Sequence, residues 1–276
     1  MSIGTLLAIV HNEADAPKLL DFALPFAARH GSHLIGLHAE ALPVVLATPM
    51  EGPYLTLADE LETQAKERHQ RLRDMFESRT KRESLSAEWR GFDSVSGDSA
   101  ISGIDSARSS DLVLVVQNDP NGVTSSADVE ALLFHSGRPV LFVPHAHSGK
   151  GEPFRKAIIA WNGSKEAARA AFDALPLLKE AGQVDILTID APENGGHNGS
   201  AIARTLARHG LDVTVIARHT DKQRSELDVL ASAIVESGAD LLVMGAFGRS
   251  RLAEFVFGGM TRSVLQSMTV PTLMAR

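Results

Sequence analysis

The residues in this sequence best suited to chemistry are glycines. The stretch GAFGRSRLAEFVFGGMTR, from Gly245 to Arg262, holds Gly245, Gly248, Gly258 and Gly259. Arg249, Arg251 and Arg262 lie among them. A glycine where a strand ends lets a ligand approach the backbone. A glycine ahead of a helix leaves N–H groups aimed at an anion, and the helix dipole adds to the attraction. The chemistry would be phosphate binding. The same spacing also suits a tight turn followed by a helix start. The pattern is neither G-x-x-x-x-G-K-[ST], since no lysine follows, nor G-x-G-x-x-G.

Other side chains offer less. Eleven histidines invite a metal, but His145 and His147, or His30, His33 and His38, do not fall into a known ligand spacing. Hydrogen-bonded or solvated roles are expected for them. His11 would be an exposed loop-edge residue. Ser164 follows a strand and begins a helix without a G-x-S-x-G elbow, so it is expected to cap that helix rather than act as a nucleophile. Asp111 and Asp240 precede apolar strands, at the end away from a ligand crevice. The acids of DELETQAKER read as a solvated helix face. Cysteine is absent, which excludes disulfides, thiolate metal sites and a Cys nucleophile.

The elements that position these residues repeat. LLAIVHNEADAPKLLDFALPFAARHGSHLIGLHAE begins at Leu6, and AIIAWNGSKEAARAAFDALPLLKEAGQVDILTIDA at Ala157. Leu24-Pro25 and Gly31 match Leu175-Pro176 and Gly182 at one offset. DLVLVV at Asp111 matches DLLVMG at Asp240, and Pro139 matches Pro271. Each copy alternates short apolar strands with amphipathic helices, which predicts right-handed βαβ crossovers and an open, doubly wound parallel sheet. VDILTI, DVTVIA and DLLVMG read as strands covered on both faces. The helix around DELETQAKERHQRLRDMFESR is expected to bury Leu61, Ala65, Leu72, Met75 and Phe76. Two domains of similar size are expected, 1–148 and 149–276, joined by a polar linker near 146–154.

The G-2x-G-9x-G pattern, late in a copy that opens on IIAWNGS and closes on VPTLMA, resembles the universal stress protein family. The resemblance spans nearly the whole chain as two tandem copies, the first degenerate. It implies an α/β fold of five parallel strands per domain, of the adenine nucleotide alpha hydrolase-like type. It also implies an adenine-nucleotide site and pairing through the last strands, PVLFVP with PTLMAR, as an internal pseudo-dimer. Such pairing would protect two strand edges.

Carried onto this chain, the resemblance places Ala160, Trp161 and Asn162 after the first strand of the second copy, Ile189 at the end of its second strand, and Met244 and Gly245 at the end of its fourth. Gly248, Gly258, Gly259 and Met260 complete the set. Two positions depart from the family. Asn162 stands where it has an acid, keeping an acceptor and adding donors. Gly259 stands where it has Ser or Thr, losing a hydroxyl that Thr261 is close enough in sequence to replace. In the first copy His11 takes the place of Asn162, and Val116 that of Gly245. Asp119-Pro120-Asn121-Gly122 reads as a turn. No ordinary nucleotide site is expected there; this copy would serve as a structural partner or bind a different ligand in a pocket roofed by LPVVLATPMEGPYLTLADE.

The resemblance implies a stress-response binding and signalling module. Its cofactor would be ATP or another adenine nucleotide, with or without Mg2+, or none. Nucleotide would order the 246–257 loop and so change the surface that protein partners meet. A scaffold without nucleotide and a slow ATPase are the alternatives; Glu254 is the sole acid in the glycine loop. A net charge of −7 argues against nucleic-acid and anionic-membrane partners. No apolar run is long enough to span a bilayer, and MSIGTLLAIVHNEADAP reads as a first strand rather than a leader, so a cytoplasmic protein is expected. A homodimer is left open.

Overall fold

The structure, a computed structural model, describes residues 2–41, 53–94, 96–119, 121–122, 127–192, 197–248 and 259–276, with the backbone alone for 53–58. The first half runs β1 (Thr5–Ile9), α1 (Ala16–His30), β2 (His33–Ala41), α2 (Pro53–Arg82), β3 (Ala87–Ser94), α3 (Ser99–Ser102), α4 (Ile104–Arg108), β4 (Leu112–Val116), α5 (Val129–His135) and β5 (Val140–Val143). The second runs β6 (Lys156–Ala160), α6 (Lys165–Asp173), α7 (Leu175–Ala181), β7 (Gln183–Ile189), α8 (Ser200–Arg208), β8 (Asp212–Arg218), α9 (Glu226–Ser237), β9 (Leu241–Gly245), α10 (Met260–Ser267) and β10 (Thr272–Ala275).

The ten strands of the described residues form one sheet in the order β3-β2-β1-β4-β5-β10-β9-β6-β7-β8. Neighbours are parallel except at the centre, where β5 and β10 run antiparallel. Leu141 there faces Leu273, its own counterpart in the repeat, as a two-fold axis between equivalent elements requires. The last strands therefore meet within one chain, and neither β5 nor β10 is a free edge.

The central strands are buried on both faces because helices cover both. One core layer joins Leu6, Leu34, Phe22, Phe26 and Phe76 to Ile159, Leu177, Leu178 and Leu206. The other joins Leu7, Val113 and Leu132 to Ile158, Leu230, Leu242 and Met274. Ala65, Leu72 and Phe76 of α2 are buried as their spacing requires, but Leu61 is 47% exposed. It lies a turn before Ala65, beyond the part of α2 that packs on the sheet. β8 is also not covered as expected. It is an outer strand, and five of its seven residues are exposed.

The repeat explains several local features. Gly31 and Gly182 each end a helix at positive φ, 64° and 73°. Asp111 Oδ2 accepts the N–H groups of Gly4 and Thr5 at 2.9 Å. Asp240 does the same for Arg155 and Lys156 at 3.0 Å. Each aspartate thus fastens the start of its half's first strand, a structural task at the amino end of the sheet. The 146–154 linker is docked rather than loose. The Gly151 N–H donates to Asp21 O, Arg29 Nη1 donates to Gly151 O, and Glu180 accepts the Phe154 N–H.

Candidate functional site

The candidate site is built at the carboxyl ends of β6 and β9, which pair Ala160 with Met244. Met244 itself is buried in the core. Beyond β6, the Trp161 N–H donates to Leu187 O at 2.8 Å and continues the pairing with β7. Ile189 ends β7 on the same rim and packs with Ala160 and Met260 against one core layer. The Trp161 indole Nε1 is buried and finds no acceptor among the described residues. Asn162 Oδ1 accepts the Ser164 N–H at 3.1 Å, closing a turn through Gly163 at φ 74°. The His197 ring occupies the space that a Gly163 side chain would need. Ser164 Oγ accepts the Ala167 N–H at 3.1 Å, the capping role expected of it.

Gly245 lies against this helix start. A Cβ there would stand 2.6 Å from the Glu166 carbonyl carbon and closer still to the Ala167 nitrogen. Glycine is needed because backbone meets backbone. A Cβ on Gly248 would lie 3.3 Å from both Ser164 Oγ and Glu166 Oε2. Glu166 is only 5% exposed. Its carboxylate at the glycine strip is the feature that the sequence reading passed over. Helix first turns favour acids, so a glutamate beside Lys165 reads as ordinary surface.

Between the two glycines the chain is held on both sides. Phe247 takes a left-handed φ of 52°. Its N–H donates to Thr261 Oγ1 at 3.0 Å, and its ring lies 4.6 Å from that of Phe134 in the first half. The Arg276 guanidinium sits 4.1 Å above the same Phe134 ring. Thr261 is buried, so its hydroxyl holds the loop. Gly259 precedes α10, and no side chain caps that helix. Among the described residues the N–H groups of its first two residues meet no capping side chain, the arrangement in which helix starts bind anions. Met260 opens the helix, half-buried.

Ala160, Trp161, Asn162, Met244, Gly245 and Gly248 thus share one rim with Ile189 beside it, and Thr261 ties Gly259 and Met260 to it. Gly258, Arg249, Arg251, Glu254 and most of the 246–257 loop lie outside the described residues. Arg262 pairs with Glu130 of α5 at 2.9 and 3.1 Å, a bridge between the halves.

The corresponding crevice of the first half is built differently. Val116 is followed by Gln117, whose Nε2 donates to Leu265 O at 2.9 Å while its Oε1 accepts the His145 N–H at 2.9 Å. Asn118 exchanges two hydrogen bonds with the Ala127 backbone. These groups line a cavity of about 560 Å3 between β4, α5 and α10. Its amides are already spent on the protein. Asp119 and Gly122 close the expected turn, with Pro120 outside the described residues. Most of the roofing segment lies outside them too.

His11 is less exposed than a loop-edge residue would be. His11 is half-buried with no partner for Nδ1 among the described residues. Burial pushes its pKa down, and Asp98 opposes that only in part. His147 packs edge-on against Phe22, and burial again lowers its pKa. His30, His33 and His38 separate: His30 reaches Glu180 at 3.0 Å, His33 bonds Ser86 at 2.7 Å, and His38 is buried between Val10 O and Glu40. Burial alone would raise the Glu40 carboxyl, but Arg68 and His38 outweigh it and hold the pKa low. Among the described residues no three His, Asp or Glu side chains converge as a metal site.

Residues 153–276 match the model of the universal stress protein family. The second half of the chain is thus a universal stress protein domain. The fold of the whole chain is similar to that of a universal stress protein from Archaeoglobus fulgidus DSM 4304, at a TM-score of 0.73 and 16% identity over 98% of this chain and 96% of that one. It is also similar to a functionally unknown protein from Pseudomonas aeruginosa PAO1, at a TM-score of 0.57 and 16% identity over 99% and 92%. The sequence matches no curated protein.

Proposed function

We propose that the second half binds an adenine nucleotide across the carboxyl ends of β6 and β9. The supporting observation is the convergence of the Asn162 turn, the Gly245–Gly248 strip and the uncapped start of α10 on one rim. Asn162 and the Trp161 indole would face the base. Gly248, Gly258 and the first N–H groups of α10 would face the phosphates. Mg2+ accompanying ATP would meet Glu166, the described carboxylate beside Gly248. The chain would be a tandem pair, 1–148 and 149–276, whose first domain has given up the nucleotide site and supports the second. It would act in a stress response by binding nucleotide and protein partners rather than by turnover, in the cytoplasm. Among the described residues no helix is long and apolar enough to cross a membrane.

A second reading is a scaffold without nucleotide. It is favoured by the Glu166 carboxylate at the strip and by the commitment of Arg262 to Glu130. Titration calorimetry of nucleotide-stripped protein with ATP and Mg2+, repeated on Gly248→Asp, separates the two. One site lost in the variant supports the nucleotide reading. Absence of heat in the unaltered protein supports the scaffold.

A further inference from the structure

We propose that β8 is a pairing edge, and that two copies of this chain associate by laying their β8 strands antiparallel about Val215. The inference is independent of nucleotide binding.

Among the described residues the sheet has two outer strands, β3 and β8. Outer strands expose unpaired backbone groups, and proteins usually blunt them with charge inside the strand. β3 does so: Glu88 and Arg90 pair with each other and Gly91 follows. β8 reads DVTVIAR, with charge only at its ends. The five residues between are β-branched or small and uncharged, a composition that favours strand pairing. Val215, at the middle, is 39% exposed.

The hydrogen bonds of β8 fix which of its groups are free. The Asp212 N–H donates to Gly182 O, and Arg218 O accepts the Asp190 N–H. Residues 212 and 218 thus turn their backbone groups inward to β7. In a strand these directions alternate. Val213, Val215 and Ala217 therefore turn theirs outward, to the side left open among the described residues, where Ala217 O accepts the Arg218 Nη1 at 3.2 Å.

An antiparallel pair centred on Val215 uses all of these groups, with the partner's Val213 N–H replacing the exposed Arg218 guanidinium at Ala217 O. Val215 would exchange hydrogen bonds with its own copy, and Val213 with Ala217 of the other copy. The alternate positions then become the closely spaced, non-hydrogen-bonded pairs: Asp212 opposite Arg218, and Thr214 opposite Ile216. Each end carries an opposite-charge pair, made twice by the symmetry. A one-residue slip removes the ion pairs and misaligns the backbone groups. Arg218 already touches Glu236 at 3.0 Å on an exposed surface. Such contacts are weak and leave the guanidinium able to serve a second carboxylate.

The chain lacks cysteine, so an introduced one reports this contact alone. Facing Val215 positions would bring Cα atoms to about 5.5 Å, inside disulfide range. Val215→Cys is expected to form a disulfide-linked dimer under mild oxidation. Val235→Cys on α9, at a residue 79% exposed, is expected to remain monomeric on the same timescale. In light scattering across a concentration series the unaltered chain is expected to dimerise. Arg218→Asp should raise the dissociation constant about tenfold or more by setting carboxylates opposite each other. Asp212→Arg combined with Arg218→Asp should restore it. Unchanged circular dichroism would show that the variants are folded. A chain that stays monomeric, or a dimer indifferent to Arg218→Asp and to the double exchange, would overturn the proposal. So would equal cross-linking at Val215 and Val235.

Discussion

The Glu166 carboxylate and the Gly248 backbone face each other so closely that a Cβ on Gly248 would come within 3.3 Å of Glu166 Oε2. An anion settling on the glycine strip meets this negative charge, whereas a cation-bound anion meets a ligand for its cation. ATP binding should therefore depend on Mg2+ more steeply than N–H donation alone would make it. Glu166→Gln is expected to raise the affinity for metal-free ATP about tenfold, ~1.4 kcal/mol, and to flatten the Mg2+ dependence. Calorimetry with and without a chelator reads both. Equal affinities in the variant and the unaltered chain would place the phosphates elsewhere.

Gly245 and Gly182 separate two reasons for glycine. At Gly245 a side chain would strike the backbone of α6, 2.6 Å from the Glu166 carbonyl carbon. At Gly182 nothing lies within 4 Å, and the demand comes from a φ of 73°. Gly245→Ala should force β9 and α6 apart, costing about 1–3 kcal/mol and weakening nucleotide binding at the same rim. Gly182→Ala should cost about 1–2 kcal/mol of strain and leave binding unchanged. Denaturant melts with ligand titration distinguish them. Loss of binding in Gly182→Ala would remove the basis for the distinction.

Thr261 gives a third test. Its hydroxyl accepts the Phe247 N–H inside the protein. Thr261→Val keeps the shape and removes the acceptor, leaving a buried donor unpaired at a cost of about 1–3 kcal/mol. Phe247 then loses one of the two restraints on its left-handed backbone. Hydrogen exchange at Phe247 should accelerate, while exchange in β6 stays unchanged. Thr261→Ser should restore most of the protection. Equal exchange in all three proteins would mean that Phe134 alone holds the loop.

These tests fall on contacts of very different legibility. The alternation of strand and helix, the repeat and the pairing of the last strands were readable because apolar period and punctuation carry them. Gly31, Gly182, Pro139 and Pro271 mark equivalent joints in the two copies. The Ser164 cap was readable because a cap is local. Glu166 was not, since its burial comes from β9 crossing the start of α6, a contact far apart in sequence. The bridging of Gln117 to Leu265 and His145 is likewise invisible until the two halves are set side by side. Leu61 and β8 misled for one reason: an apolar pattern states which face is apolar, not whether another element reaches it.

Three half-buried histidines make stability depend on pH. Burial lowers the pKa of His147, with the Gly149 backbone opposing and Lys18 assisting. It lowers that of His11 against the pull of Asp98, and that of His69 with help from His38. In the unfolded chain these rings titrate near 6.5. Their folded values lie below that, so as pH falls through 6.5 the unfolded state takes up protons first. Stability is then full above about pH 7.5 and declines below about 6.5 until the native rings protonate too. A second decline follows at lower pH. For Glu180, burial raises the pKa, but His30, Arg29 and the Phe154 N–H outweigh it and hold it below 4.5. Its contribution is present above 4.5 and is lost as pH falls through the lower native value. The Tm should therefore fall in two stages on acidification. His147→Phe fills the site beside Phe22 with a ring that cannot titrate. It should reduce the first stage, raise the Tm near pH 5.5 by roughly 2–4 °C relative to the unaltered chain, and change it little near pH 8. A single acid transition near pH 4, unaffected by this substitution, would show that the rings are neutralised or solvated before the protein unfolds.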